Sequence, residues 1–196
     1  MIALMKRKRL SSIVGLSLDG SRLEGVVLRR TNGSVQQQGT FSAPLSLDPL
    51  TAPVELVGRE IRTHLDAAGV RERHCVVGLP LKWALTTHTE VPDLAKDDIP
   101  GFLQIEAERG FPYGQDTLSV CRSRFRSADG EQHATLVAIP RNHLFQLEKA
   151  LKAAQLKPIS FTLGIAALQS EDQESSPGLL ALGVGENSVE IGRAHV

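Results

Sequence analysis

The chain has 196 residues, which allows one domain or two small subdomains sharing a core. Apolar residues make up 41%, too many for a disordered chain, and 22 basic residues balance 22 acidic ones, so no overall field draws it toward nucleic acid. Two cysteines, Cys75 and Cys121, each inside an apolar run, exclude a disulfide framework and a Cys-rich zinc site and fit a reducing compartment; aromatics at 4% are too few for a base-stacking platform.

No apolar run reaches the roughly 18 residues of a membrane helix. Lys6, Arg7, Lys8 and Arg9 are followed by Ser11, Ser12, Ser17 and Asp19, not by an apolar signal core. Residues 1–12 read as a basic tail, either simply solvated or weakly attracted to an anionic leaflet.

Ile13–Leu18 alternates and ends at Asp19-Gly20, a tight-hairpin signal. Arg22–Arg30 is the second strand, Asn32-Gly33 a second hairpin signal, and Val35–Phe41 a third, more polar strand. Pro44–Pro53 is a loop. Val54, Val57, Ile61, Leu65 and Ala68 share one face of a helix that Gly69 stops. Cys75–Leu79 is a buried strand before Pro80. Trp83–Val91 reads as a strand, and Asp97 and Asp98 as caps for a helix with Pro100 in its first turn and Gly110 at its end. Thr117–Arg126 and Gln132–Ile139 are strands joined at Asp129-Gly130. Arg141–Ala154 is a helix with Leu144, Leu147, Leu151 and Ala154 on one face. Lys157–Phe161 is a strand, Ile165–Leu168 a short helix, and Gln169–Gly178 a polar linker before the strand Leu179–Val184. This order is mixed α/β with two subdomains.

The last strand begins close to the chain end and would lack partners. Ile191-Gly192-Arg193-Ala194-His195-Val196 is also what a common sequencing adapter encodes. The expectation is a chain cut mid-frame, with 191–196 a non-native tail.

Chemistry-bearing motifs are sparse. The six histidines, His64, His74, His88, His133, His143 and His195, show no metal-binding spacing and read as solvated or hydrogen-bonded surface residues. There is no Cys-x-x-Cys, Gly-x-Ser-x-Gly or Walker A sequence. Glu106 and Glu108 point to different faces of a helix, and Glu90, Asp93, Asp97 and Asp98 fit a helix start. Two glycine-bearing hairpins remain, Gly15–Ser21 and Gly183–Ser188, whose backbone amides suit phosphate.

Several short motifs then converge. Val14–Leu28 forms a strand-turn-strand, Glu90-Val91-Pro92 ends a strand in proline, and Ile105-Glu106-Ala107-Glu108 leads to Phe111-Pro112. Ala138-Ile139-Pro140, Leu156-Lys157-Pro158 and Ala166-Ala167-Leu168 follow in order. From about Ile13 to Glu190 the chain resembles the type IV pilus assembly PilM family and its actin-like ATPase relatives. The resemblance implies an actin-like ATPase (ribonuclease H-like) fold, first lobe only, with an inserted 1C-type subdomain. It places subdomain 1A at 13–80, the insertion at 81–158, the return to 1A at 159–168, a linker at 169–178 and the start of a second lobe at 179–190.

The resemblance also implies a degenerate nucleotide site at Gly15, Ser17, Asp19, Gly20, Ser21, Gly183 and Gly185. Ser17 stands where relatives carry aspartate, Asp19 where glycine is expected, and Gly183 at the second aspartate position. Without those carboxylates magnesium loses its anchors, so ATP with magnesium is expected only in a longer protein. No catalytic residue and no metal ligand is assigned. The implied role is a non-catalytic cytoplasmic scaffold at the inner face of the bacterial inner membrane. It would bind the N-terminal cytoplasmic segment of a PilN-like membrane protein and reach the membrane through that partner. GspL of type II secretion shares the implied fold. The alternative is a nucleotide-binding actin-like ATPase or kinase whose second lobe is missing.

Overall fold

The computed structural model describes residues 10–18, 21–127 and 129–163, and the backbone of 179–184 and 189–194. Ser12–Leu18 (β1), Arg22–Thr31 (β2) and Ser34–Pro44 (β3) open the chain as antiparallel strands. Asn32 (φ 52°) and Gly33 (φ 88°) form the two-residue turn between β2 and β3, the left-handed pair their sequence signals. The ladder slips at Val27/Leu28, leaving Gln38 as an extra residue on β3.

Val54–Ala67 (α1) follows, then His74–Leu79 (β4), which pairs with β1 in parallel. After the inserted elements comes Arg141–Ala153 (α3), and Lys157–Leu163 (β8) completes a sheet of order β3-β2-β1-β4-β8. The amide of Lys157 donates to the Arg73 carbonyl at 2.6 Å, so β4 and β8 start side by side and run the same way. Residues 1–78 and 147–162 make one compact unit.

Alternation decides the buried face of this sheet. Val14, Leu16 and Leu18 of β1 and Cys75, Val77 and Leu79 of β4 are buried, and Leu18 stands opposite the buried Leu23. Val57, Ile61 and Leu65 of α1 and Leu147 and Leu151 of α3 are buried in the same unit. Each such side chain contributes about 1.5–3 kcal/mol. Ala68, expected on the buried face of α1, is exposed: it is the helix cap, where the chain has already begun to turn away. Both helices end in the same hydrogen-bond pattern. Gly69 (φ 69°) donates to Asp66 and the buried Val70 to Leu65, while Gln155 (φ 62°) donates to Lys152 and the buried Leu156 to Leu151.

The loop before α1 is fastened by one carboxylate. Glu60 accepts from the Ser46 amide (2.7 Å), the Ser46 hydroxyl (2.5 Å) and the Leu47 amide (3.2 Å).

The second unit comprises residues 79–146 and 163–196. Its main sheet has the order β5-β7-β6, all antiparallel, from Leu85–Glu90 (β5), Leu118–Arg126 (β6) and Gln132–Pro140 (β7). Ile99–Gly110 (α2) packs on one face, burying Ile99, Leu103 and Ala107 with Ala134, Leu136 and Ala138 of β7.

Two expectations fail here. The strand expected over Trp83–Val91 begins at Leu85, because Leu81–Trp83 turns tightly behind Pro80, with the Trp83 amide on the Pro80 carbonyl at 3.1 Å. Asp98 occupies the cap position of α2 without a side-chain capping bond. Its backbone (φ −87°, ψ −23°) is already helical, which takes the carboxylate away from the free amides. Gly110 ends α2, as the sequence predicts. A Cβ there would meet the Thr87 side chain at 2.9 Å, so close approach of α2 to β5 requires the glycine.

Leu179–Val184 (β9) is not left without a partner: Val189–Ala194 (β10) pairs with it antiparallel along its whole length. The readings of Ile165–Leu168 as a helix and Gln169–Gly178 as a linker lie outside the described residues.

Two outcomes follow from the first unit. A Cβ on Gly58 would lie 2.5 Å from the Ala153 Cβ and 2.9 Å from the Ala150 carbonyl oxygen. Gly58→Ala therefore destabilises by about 1–3 kcal/mol, read as a lower urea midpoint, because α1 and α3 are forced apart. Burial pushes the Glu60 carboxyl up, but the Ser46 and Leu47 hydrogen bonds outweigh it and hold the group below its ordinary range. Its stabilisation is present above that range and lost as pH falls through the lowered folded value. Glu60→Gln should therefore lower stability at neutral pH and flatten the acid limb of a melting-temperature profile.

Candidate functional site

The first glycine hairpin is built by β1 and β2. Gly15 lies opposite Val26 and beside Val76 of β4, and Ser17 lies opposite Glu24 and beside Gly78. A Cβ on Gly15 would stand 3.2 Å from the Val26 side chain, so a larger residue would crowd that neighbour. Ser17 is exposed near the carboxyl ends of two parallel strands, where open α/β sheets present their ligand-binding loops. Ser21 is exposed at the start of β2, and its carbonyl accepts the Leu45 amide at 2.8 Å. Asp19, Gly20 and Gly185 lie outside the described residues.

Gly183 is on β9, opposite Glu190 on β10. It belongs to the second unit, while Gly15, Ser17 and Ser21 belong to the first. Motif reading passed over Glu24, the one carboxylate that the β1–β2 register sets on the same face as Ser17. Counting back across the Asp19-Gly20 turn would have found it.

The described part of this hairpin therefore offers two serine hydroxyls and one carboxylate. That donor set falls short of the paired carboxylates with which magnesium-assisted phosphoryl transfer is anchored. Among the described residues, no group of three or more His, Cys, Asp or Glu side chains is placed to hold a metal ion.

Several other polar side chains make contacts within the second unit. His88 Nδ1 is 2.9 Å from the Thr135 hydroxyl across β5–β7. His133 stacks on Phe125 with ring centroids 5.5 Å apart, and its Nε2 is 3.7 Å from Glu131. Glu106 accepts from the Thr89 hydroxyl at 3.1 Å and from Arg109 at 3.4 Å, while Glu108 is exposed. At the β6–β7 turn the Ser127 hydroxyl donates to the Asp129 carboxylate, which holds that group below its ordinary range. The two cysteines part company. Cys75 is fully buried and burial pushes its thiol up to about 11, whereas Cys121 is exposed on β6.

No protein family and no curated protein matches the chain in sequence. Solved structures do match it in shape. A chain of the PilM–PilN type IV pilus biogenesis complex superposes with a TM-score of 0.76 at 20% identity, over 95% of this chain and 59% of that one. The cytoplasmic domain of EpsL, an inner-membrane component of the type II secretion system of Vibrio cholerae, superposes with a TM-score of 0.62 at 16% identity, over 94% of this chain and 71% of that one. A Bacteroides thetaiotaomicron protein with an actin-like ATPase fold and unknown function reaches 0.52 at 8% identity, over all of this chain and 69% of its own. The chain thus has the actin-like ATPase fold and spans 59% of the pilus-complex chain it matches.

A thiol reagent distinguishes the two cysteines. At pH 8 the folded protein should label at Cys121 alone, because the Cys75 thiolate is both scarce and buried, and both should label in denaturant. Fast modification of Cys75 in the folded protein, read by peptide mass mapping, would contradict the packing of β4.

Proposed function

We propose that this chain is a scaffold component of a type IV pilus or related secretion platform at the cytoplasmic face of the inner membrane. In this reading it binds the N-terminal cytoplasmic segment of a PilN-like membrane protein and does not turn over ATP. The observation that carries the proposal is the likeness to a chain of the PilM–PilN complex, which covers 95% of this chain and therefore includes elements of both compact units. The likeness to the EpsL cytoplasmic domain supports the same class of role.

Two features agree with binding rather than chemistry. The described part of the β1–β2 hairpin presents Ser17 where actin-like ATPases carry aspartate, with Glu24 as its only nearby carboxylate. Among the described residues no helix is long and apolar enough to cross a membrane, and in this reading membrane association comes through the partner. A short segment of such a partner, extended or helical, would be held by a sheet edge or an apolar groove.

Titration with a synthetic peptide of the PilN-like protein's cytoplasmic segment, followed by calorimetry, should give saturable one-to-one binding below about 100 μM. Absence of saturation into the millimolar range would remove the partner assignment. Magnesium-dependent ATP hydrolysis by the purified chain would remove the non-catalytic part of the reading.

A further inference from the structure

One edge of the β5-β7-β6 sheet is, among the described residues, a row of arginines. β6 is the outer strand of the β5-β7-β6 sheet, and Arg122, Arg124 and Arg126 occupy alternate positions along it, all three exposed. They stand opposite Leu136, Ala134 and Gln132 of β7, so their side chains project on the face that carries α2. Adjacent arginines are roughly 7 Å apart along the strand.

The same three residues also present the open backbone. In an antiparallel pair, directly opposed residues alternate between exchanging hydrogen bonds and turning their N–H and C=O groups away. The Ser127 amide donates to the Glu131 carbonyl at 2.9 Å, which makes Ser127/Glu131 a bonded pair. Counting back, Arg126, Arg124, Arg122, Val120 and Leu118 turn their backbone groups outward. Two further bonds agree with this phase. The Leu118 carbonyl is free of β7 and accepts Arg141 Nε at 2.8 Å, and the Gln132 carbonyl is free of β6 and accepts the Val91 amide at 2.7 Å.

We propose that this edge takes an extended acidic polypeptide segment as an additional strand, with carboxylates at alternate positions facing Arg122, Arg124 and Arg126. The guest backbone would complete the outward N–H and C=O groups of the arginine residues, and its acidic side chains would meet the guanidinium groups across the ladder. Charge alone has another use, since charged residues also guard an edge against unwanted pairing. The arrangement here is more selective than a guard. The β7 residues opposite the arginines are uncharged, Arg122 reaches only the Pro100 carbonyl at 3.4 Å, and Arg124 and Arg126 make no ion pair among the described residues. Three like charges in register repel a basic strand and favour an acidic one over a neutral one. A nucleic acid or an anionic membrane would satisfy the guanidinium groups but not the backbone edge. This surface lies within the second unit and does not depend on the peptide assignment above.

The test uses a fluorescein-labelled peptide alternating glutamate with valine or threonine, and a control of the same composition with its glutamates consecutive. The alternating peptide should bind the full chain saturably, and rising salt should weaken it. Arg124→Gln and Arg126→Gln should each weaken it several-fold, and the double variant by about tenfold or more. Arg124→Pro, which removes an outward N–H without touching the β7 ladder, should weaken it further than Arg124→Gln. Hydrogen exchange followed by NMR supplies the second readout. The amides of Arg122, Arg124 and Arg126 should slow on binding, while those of Ser123 and Phe125, which face β7, should not change. No binding of the alternating peptide overturns the proposal. Equal binding of the control without amide protection also overturns it, leaving a charged patch open to any polyanion.

Discussion

The parallel ladder between β1 and β4 is the constraint from which the first unit follows. Parallel strands cannot be joined by a hairpin, so the chain must travel between them, and here it does so through β2, β3 and α1. The pairing fixes the phase of both strands, with Val14, Leu16 and Leu18 on the same buried side as Cys75 and Val77. It also brings the carboxyl ends of β1 and β4 together, which places Ser17 beside Gly78. A shift of one residue in β1 would expose its apolar set and turn Ser17 inward.

That arrangement bears on what the β1–β2 hairpin can do. Ser17 and Glu24 share a face at the strand ends, with an exposed hydroxyl where the resemblance to actin-like ATPases calls for aspartate. A hydroxyl donates and accepts hydrogen bonds but brings no charge to a cation. Glu60 illustrates the difference in the same unit: three donors converge on its carboxylate and fasten a loop to α1.

Much of the fold was legible because its signals are local. Asn32-Gly33 announced a turn that needs two left-handed residues, Gly69 a helix cap, and the spacing of Val57, Ile61 and Leu65 a buried helical face. The failures are places where a neighbour in space decides. Whether Asp98 caps α2 depends on backbone angles set by the preceding turn at Ala95, and the start of β5 depends on the tight turn behind Pro80. Cys121 read as part of an apolar run, yet β6 is an edge strand and leaves it exposed. Of the candidate nucleotide residues, sequence placed Gly15, Ser17 and Ser21 on the first hairpin, but Glu24 emerged only from the strand register. The period-two spacing of Arg122, Arg124 and Arg126 lies in the sequence, but its meaning depends on β6 being an outer strand among the described residues.

The neighbouring starts of β4 and β8 have a consequence for how this architecture can vary. With Arg73 bonded to Lys157, the segment β4-α3-β8 has the form of an ordinary crossover between parallel strands, and everything from Leu81 to Pro140 is spliced in ahead of its helix. The host sheet draws no strand from that splice, and the inserted sheet draws none from the host. Lineages can therefore enlarge, shrink or redecorate the insert while the host's registers stay fixed. A recognition surface carried on the insert is free to diverge at a different pace from the hairpin carried on the host.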